Sequence, residues 1–208
     1  MTRHDVDRTR PCWSCGHDAG VGVLCAHCQI VQPVAEGADP FAVFGLEPHF
    51  DIDTPRLERA YVDAQRRLHP DGFATRPERE RRLAAAQAVA INAAYASIKA
   101  PLARARTLLR QHGRDAGEAS TETIDDPAVL MEAMETREAL AEAADADAVA
   151  DLGRRAAEAV RACQDRLVAA FNTDNLDAAA RLTLRLAYLD KLAHEIKRKR
   201  LALVGTAA

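Results

Sequence analysis

The sequence has few aromatic residues, no long apolar run and no large excess of charge of one sign. Phe, Trp and Tyr make up 4% of the 208 residues. The chain is instead rich in Ala, Leu, Arg and Glu, which favours helices over sheets. The net charge of −3 argues against a protein whose main role is wrapping nucleic acid. No apolar run approaches the length of a membrane span, so we expect neither a nucleic-acid partner nor a membrane partner.

The first ten residues, MTRHDVDRTR, contain two Asp residues and no apolar core. Signal peptides need such an apolar core, and transit peptides are poor in acidic residues. We therefore expect a cytoplasmic protein. Disulfides are rare in that compartment, so its cysteines are expected to bind metal or to take part in redox chemistry.

Four of the five cysteines form two CxxC pairs, CWSC at 12–15 and CAHC at 25–28, separated by nine residues. Two such pairs can place four thiolates around one ion, which is the arrangement that Zn²⁺ takes in structural sites. A redox-active dithiol is the alternative, but it would not need a second pair. The sequence therefore predicts one structural zinc ion bound by four thiolates, those of Cys12, Cys15, Cys25 and Cys28.

Helical periodicity predicts two long helices after the Cys-rich segment. Thr54 is the predicted N-cap of the first, and Thr75 with Glu78 forms a predicted capping box at the start of the second. The first helix must end near His69, because the residue before a proline is pushed out of the α region. The short loop makes the two helices antiparallel. The predicted apolar stripe of the second helix consists of Leu83, Ala86, Ala90, Ala94 and Ile98.

Three further helices are predicted after a polar stretch from Arg114 to Thr123. They cover about 127–144, 146–171 and 175–203, and short joints between them predict an antiparallel three-helix bundle. Cys163 falls in the middle helix and is expected to be a buried apolar residue. The predicted fold class is therefore mainly α.

The tripeptide His-Pro-Asp at 69–71 begins the loop between the first two long helices. Alone it is only a turn signal. Between two helices, with PFAVFGLE before it and INAAYASIKAPLARARTLL after it, the segment resembles the J domain of DnaJ-type co-chaperones. The resemblance implies that this chain is not an enzyme, but recruits an HscA- or DnaK-class chaperone and stimulates its ATPase. The residues expected to contact that chaperone are His69, Pro70, Asp71, Arg59, Arg66 and Arg67.

Two features of the sequence reduce the positive charge expected at the chaperone-binding surface. The J-domain family usually carries Lys directly after the tripeptide, where this sequence has Gly72, so one positive charge is lost. The three arginines offer positive charge to an acidic docking surface, but the alternative is that they form an ordinary solvated face. Asp63 lies among them and reduces the net positive charge.

The second half of the chain narrows the resemblance. LMEAMETREAL (130–140) and LRLAYLDKLAHE (184–195) resemble HscB, the J-type co-chaperone of iron–sulfur cluster assembly. The Cys-rich segment matches the longer members of that family, which carry an N-terminal CxxC…CxxC extension. The resemblance implies three parts, a metal module at 1–36, a J domain at 39–113 and a scaffold-binding bundle at 125–204.

By this resemblance, seven residues match the positions that bind the cluster scaffold IscU, namely Leu130, Met131, Met134, Glu135, Glu138, Glu142 and Tyr188. The surrounding segment is acidic, since Asp125 to Asp151 contains nine acidic residues and one basic residue, Arg137. Methionine and carboxylate on one helix face suit an adaptable partner surface. The alternative is that the methionines face the bundle core and the glutamates face water.

The predicted function is to deliver an IscU-type scaffold to an HscA- or DnaK-class chaperone and so to promote cluster transfer. One alternative is a general J-domain co-chaperone with other clients. Another is a zinc-ribbon nucleic-acid or regulatory protein, but the segment between the knuckles, GHDAGVGVL, has no Arg or Lys. A weak homo-oligomer is compatible with the sequence.

Overall fold

The computed structural model describes residues 10–20, 22–34, 37–114 and 127–205, with the backbone alone at 127–130 and 204–205. The regular elements are a 3₁₀ turn, Pro70–Phe73, and the helices α1 (Pro40–Val43), α2 (Thr54–Arg67), α3 (Glu78–Lys99), α4 (Pro101–Gln111), α5 (Pro127–Glu142), α6 (Ala146–Asn172) and α7 (Leu176–Gly205). Only two isolated β-bridges occur in the described ranges, Pro11 with Asp18 and Leu24 with Val31. The prediction of a mainly α fold is confirmed.

The chain divides into two compact units, Met1–Ala103 and Arg104–Ala208. The first unit holds the Cys-rich segment and helices α1 to α3, and the second holds the three long helices α5 to α7. Helix α4 begins at Pro101 and so starts before the boundary between the units. The three domain ranges given above stay predictions. In the described part of the chain, no helix combines the length and the apolar character that a membrane crossing requires.

Helix α2 begins one residue earlier than the sequence indicated. Asp53 is the N-cap, and its Oδ1 accepts a hydrogen bond from the backbone N–H of Arg56 at 2.9 Å. Thr54 is already helical, so its predicted role as the N-cap is wrong. An Asp carboxylate is a capping acceptor at least as good as a Thr hydroxyl, and here it lies directly before the helix. The helix ends at Arg67, close to the predicted position.

Helix α3 begins later than predicted, at Glu78, with Pro77 as its N-cap and no side-chain capping bond. The predicted capping box is therefore wrong, because Thr75 lies two residues before the cap. The buried face of α3 carries Ala84, Gln87, Ile91 and Ile98. The predicted stripe was thus rotated, and of its members only Ile98 is fully buried.

The second unit is built on the long pair α6 and α7, with α5 packed against both. One buried cluster joins all three helices through Leu140, Val149, Ala156, Leu192 and Ile196. The three helices lie within two residues of their predicted bounds. Cys163 is buried in α6, as expected, and burial raises the pKa of its thiol.

Candidate metal centre and interaction surfaces

The four predicted metal ligands come together in the first unit. The Sγ atoms of Cys12 and Cys28 lie 3.6 Å apart, those of Cys15 and Cys25 lie 3.9 Å apart, and all four lie within 4.8 Å of one another. Zinc–sulfur bonds of about 2.3 Å at tetrahedral angles would place sulfur atoms about 3.8 Å apart. All four cysteines are free of disulfides. They form a metal site.

Both CxxC pairs reach this geometry through the same local turn. The backbone N–H of Ser14 points at Cys12 Sγ, and that of His27 points at Cys25 Sγ, each at 3.4 Å. The fifth residue of each turn then adopts a positive φ, 75° at Gly16 and 59° at Gln29. Glycine adopts this conformation without strain, whereas glutamine does so at a cost, which its side chain offsets in part by bonding to the carbonyl of Ala26.

The electrostatics of the cluster favour a bound dication. Burial raises the pKa of the Cys12 thiol, but the backbone N–H groups of Cys15 and Ser14 and its side-chain neighbours lower it to about 6. At Cys28 the backbone N–H of Ile30 lowers the pKa, yet burial and the neighbouring thiols raise it to about 12. One thiolate therefore forms readily, whereas further negative charge is opposed. A metal ion supplies the positive charge that all four thiolates need.

Two histidines lie beside the cluster without completing it. The rings of His17 and His27 stack with centroids 3.9 Å apart and planes 6° from parallel, and both residues are exposed. Together with Cys15 they bring three donor atoms within 4.8 Å of one another. Parallel stacked rings direct their nitrogen lone pairs along parallel lines, which suits binding of one shared ion poorly. The four cysteines remain the best ligand set.

A buried glutamine links the metal site to helix α3. The side-chain amide of Gln32 donates to Cys12 Sγ at 3.2 Å and to the carbonyl of Ile30 at 2.8 Å. The backbone carbonyl of Gln32 in turn accepts from the side chain of Gln87 on α3 at 2.9 Å, and Pro33 accepts from the same amide at 3.1 Å. The metal module is therefore fastened to the helical hairpin by buried hydrogen bonds within one compact unit.

A second contact between the metal module and helix α3 involves the one tryptophan of the chain. Trp13 donates from its indole nitrogen to the carbonyl of Val31 at 2.7 Å, and the Arg79 guanidinium lies 3.9 Å from the centre of its ring. Sequence reasoning missed Trp13, Arg79 and both glutamines. Only Gln87 gave a signal in the sequence. It is a polar residue at helical spacing between Ala84 and Ile91 on the buried face of α3, where a polar side chain needs a hydrogen-bond partner.

The His-Pro-Asp tripeptide forms the start of the exposed 3₁₀ turn. His69 caps this turn, since its Nδ1 accepts a hydrogen bond from the backbone N–H of Asp71 at 3.3 Å. Phe73 is buried and anchors the end of the turn. The carboxylate of Asp71 is 91% exposed. The turn is thus held by its ends, and it leaves that carboxylate accessible to a partner.

The exposed face of α2 beside this turn is basic but not wholly so. Arg59 and Arg66 are exposed and lie on one face, seven residues apart. Arg67 is also exposed, but it pairs with Asp63 at 2.8 Å. Val62 lies between Arg59 and Arg66 and is 40% exposed. Sequence reasoning missed this valine, although it lies off the side of α2 that carries the buried Leu57.

The acidic face of α5 lies on the surface. Met131 is 63% exposed and Met134 is 64% exposed. Ala133 and Leu140 are buried on the opposite side of the helix. The alternative that these methionines face the core is therefore wrong. Five of the seven predicted scaffold-binding residues share the exposed face, which we call the α5 stripe, consisting of Met131, Met134, Glu135, Glu138 and Glu142.

Tyr188 and Leu130 stand apart from this stripe. Tyr188 lies on α7, is half-buried, and has the Arg137 guanidinium 5.5 Å from its ring centre. Arg137 also holds Glu195 through two hydrogen bonds of 3.1 and 3.2 Å, which lower the pKa of that carboxyl. The hydroxyl of Tyr188 has no hydrogen-bond partner among the described residues. The side chain of Leu130 lies outside the described residues.

Comparison with known proteins identifies the family. The chain is 35% identical over 188 residues to the iron–sulfur cluster co-chaperone protein HscB homolog of Arabidopsis thaliana, a match that covers 90% of this chain and 73% of the relative. The chain belongs to the HscB family. The HSCB C-terminal oligomerisation domain matches residues 125–197, the region that contains α5, α6 and most of α7. The resemblance inferred from the sequence is thereby confirmed.

Solved structures of HscB proteins have the same fold. The human co-chaperone HscB superimposes with a TM-score of 0.83 at 29% identity, over 93% of this chain and 100% of the human one. The chaperone HscB of Vibrio cholerae superimposes with a TM-score of 0.71 at 34% identity, over 80% of this chain and 99% of the other.

Proposed function

We propose that this HscB-family protein binds an IscU-type scaffold, delivers it to an HscA- or DnaK-class chaperone and stimulates that chaperone's ATPase. The observation that carries the proposal is the exposure of Met131 and Met134 on an acidic helix face. Single exposed apolar residues are common, but two of them three residues apart on one helix face form a patch, and such patches mark interaction sites. The His-Pro-Asp turn supplies a second exposed surface on the other compact unit.

The chaperone contact would combine charge with a small apolar centre. Asp71 offers an exposed carboxylate to cationic groups, and Arg59 and Arg66 offer cations to an acidic surface. Val62 lies between the two arginines and would be buried on docking. A surface that carries both a carboxylate and cations would attract a partner with the complementary charges and would also fix the orientation in which that partner binds. Pro70 stiffens the turn that carries the carboxylate.

The scaffold contact would use the α5 stripe. Methionine side chains are flexible and polarizable, so they can adapt to a partner surface, while the glutamates around them would orient a partner that carries basic residues. A general J-domain co-chaperone is the rival function, and it would not use this stripe to bind a scaffold. The stripe therefore favours scaffold delivery.

We further propose that the metal is a single structural zinc ion. Four thiolates at tetrahedral spacing suit Zn²⁺, and a complete set of four protein ligands leaves no open position for catalysis. Cys12, Cys15, Cys25 and Cys28 would hold the ion. Within this chain, the ion would fix the two CxxC turns and, through Gln32, the position of the module on α3.

Replacing both stripe methionines, as Met131→Ala/Met134→Ala, is expected to weaken scaffold binding by about 2 kcal/mol or more, the range of interface hot spots. Because both side chains are exposed, the melting temperature should change by less than about 2 °C. Isothermal titration calorimetry with an IscU-type scaffold checks the first expectation, and thermal unfolding checks the second. Val89→Ala is the matched control, since Val89 is 70% exposed on α3, in the other unit. Unchanged affinity in the double variant would contradict the assignment of the stripe.

Gly72→Lys is expected to strengthen the chaperone contact by about two- to fivefold, the gain typical of one exposed ion pair. A Cβ at this position would meet nothing within 4 Å, and the backbone lies outside the left-handed region, so the side chain fits without strain. The measurement is the concentration of this chain that gives half-maximal ATPase stimulation. Gly72→Ala adds a side chain without charge and should behave as the original chain. An equal gain in both variants would point to loop stiffening rather than charge.

A further inference from the structure

Helices α6 and α7 enclose a groove of about 660 Å³ within the second unit. Its floor is formed by small and apolar residues, among them Gly153, Ala157, Ala193 and Ile196. Gly153 is unusual there, because glycine is unfavourable inside a helix. A Cβ at Gly153 would meet only the Ile196 side chain, at an ordinary contact distance of 3.7 Å. Packing within the chain therefore does not require this glycine, and its lack of a side chain leaves the floor open to a close neighbour.

The rim of the groove is strongly basic. Four cations line it against a single carboxylate, that of Glu158. The cations are Arg154, Arg161, Lys197 and Arg200. Arg154 pairs with Asp151, whereas the other three make no ion pair with any described residue. An apolar floor with a basic rim suits an amphipathic helix that carries methionine or aliphatic residues flanked by carboxylates.

The chain itself carries such a helix, the α5 stripe. The stripe covers the 11 residue steps from Met131 to Glu142, or about 16 Å of helix, and the groove side of α6 covers the 12 steps from Val149 to Arg161, or about 18 Å. Within one chain, α5 packs on α6 and α7 through its opposite face, so its own stripe points away from them. Only the stripe of a second copy can enter the groove.

We propose that two copies of this chain associate by placing the α5 stripe of one copy in the α6–α7 groove of the other. Met131 and Met134 would lie on the small-residue floor, and the three glutamates would lie beside the basic rim. The matched oligomerisation-domain family spans both surfaces. The same stripe would then be covered in the associated form and exposed in the monomer. It follows, if the proposed function holds, that scaffold binding and self-association compete.

Sedimentation velocity of the full chain over a concentration series, at low and high salt, tests the proposal. We expect reversible association that weakens with salt, because it depends on charges near the surface. Arg161→Glu/Lys197→Glu should weaken it at least about tenfold, since like charges would then face each other. The matched control is Arg155→Glu/Arg198→Glu, which makes the same change of charge at exposed positions outside the groove lining and should associate as the original chain does.

A charge exchange sharpens the test. Glu135→Lys/Glu138→Lys should also lose association, and a chain that carries both the groove and the stripe substitutions should regain it. A wild-type chain that stays monomeric over the whole series would overturn the proposal, as would normal association of the groove variant. The groove variant keeps the α5 stripe, so it should still bind the scaffold in calorimetry. Failure of scaffold binding and failure of self-association are thus observed separately.

Discussion

Asp71→Asn is expected to abolish most of the ATPase stimulation while leaving the fold unchanged. The carboxylate is 91% exposed and its backbone N–H, which holds the turn on His69, is kept in the variant. Asparagine has the same shape, so the variant removes the charge and little else. A hydrogen bond to a charged group contributes about 1.5–3 kcal/mol, which corresponds to a loss of about 10- to 100-fold in the efficiency of stimulation.

The measurement is the steady-state ATPase rate of a DnaK-class chaperone at increasing concentrations of this chain. Asp63→Asn is the matched control, because it removes the same charge from an exposed position on α2 and releases Arg67 from its pair. That control should stimulate at least as well as the original chain. Circular dichroism checks that both variants keep their helices. Full stimulation by Asp71→Asn would mean that the tripeptide is only a turn.

Cys12→Ser/Cys15→Ser is expected to release one zinc ion and to unfold the metal module, while the helices stay folded. The apolar core of this module consists of Cys12, Ala19 and Cys25, with Cys15 and Cys28 packed against them. Ligands therefore make up almost the whole core, and metal binding and folding become one event. Zinc content by mass spectrometry should fall from one ion per chain to none. Cobalt substitution should lose its thiolate-to-metal absorption.

Cys163→Ser is the matched control for this experiment, since the same chemical change in the buried core of the bundle should leave the zinc content at one ion. Trp13 gives a second readout, because it is the only tryptophan of the chain and lies under Arg79 on α3. Its emission should shift to longer wavelength when the module detaches. A cysteine variant that keeps its metal, or a purified chain that never contains metal, would contradict the zinc assignment.

The long helices could be predicted because their periodicity is local, whereas their starts depended on competition between neighbouring groups. Asp53 and Thr54 are both good caps, and only the folded chain shows which one is used. The buried pair Gln32 and Gln87 could not be predicted, since the two residues are 55 positions apart and bond only because the metal module packs on α3. Such a contact has no period and no spacing in the sequence.

The exposure of the α5 methionines could not be decided from the sequence for a related reason. The buried face of this helix includes Ala133, a small residue that packs as well as a large one where helices lie close together. Met131 and Met134 are more apolar than Ala133, so periodicity alone favours burying them. The resemblance to HscB assigned them to a partner surface, and their exposure in the structure agrees with that expectation.

The most direct test of scaffold delivery is the ATPase rate of an HscA- or DnaK-class chaperone measured with this chain, with and without an IscU-type scaffold. The wild-type chain should stimulate alone and should stimulate further when scaffold is added. Met131→Ala/Met134→Ala should keep the first effect, because the His-Pro-Asp turn is untouched, and should lose the second. If the scaffold adds nothing with the wild-type chain, or adds as much with the double variant, then the α5 stripe does not deliver it.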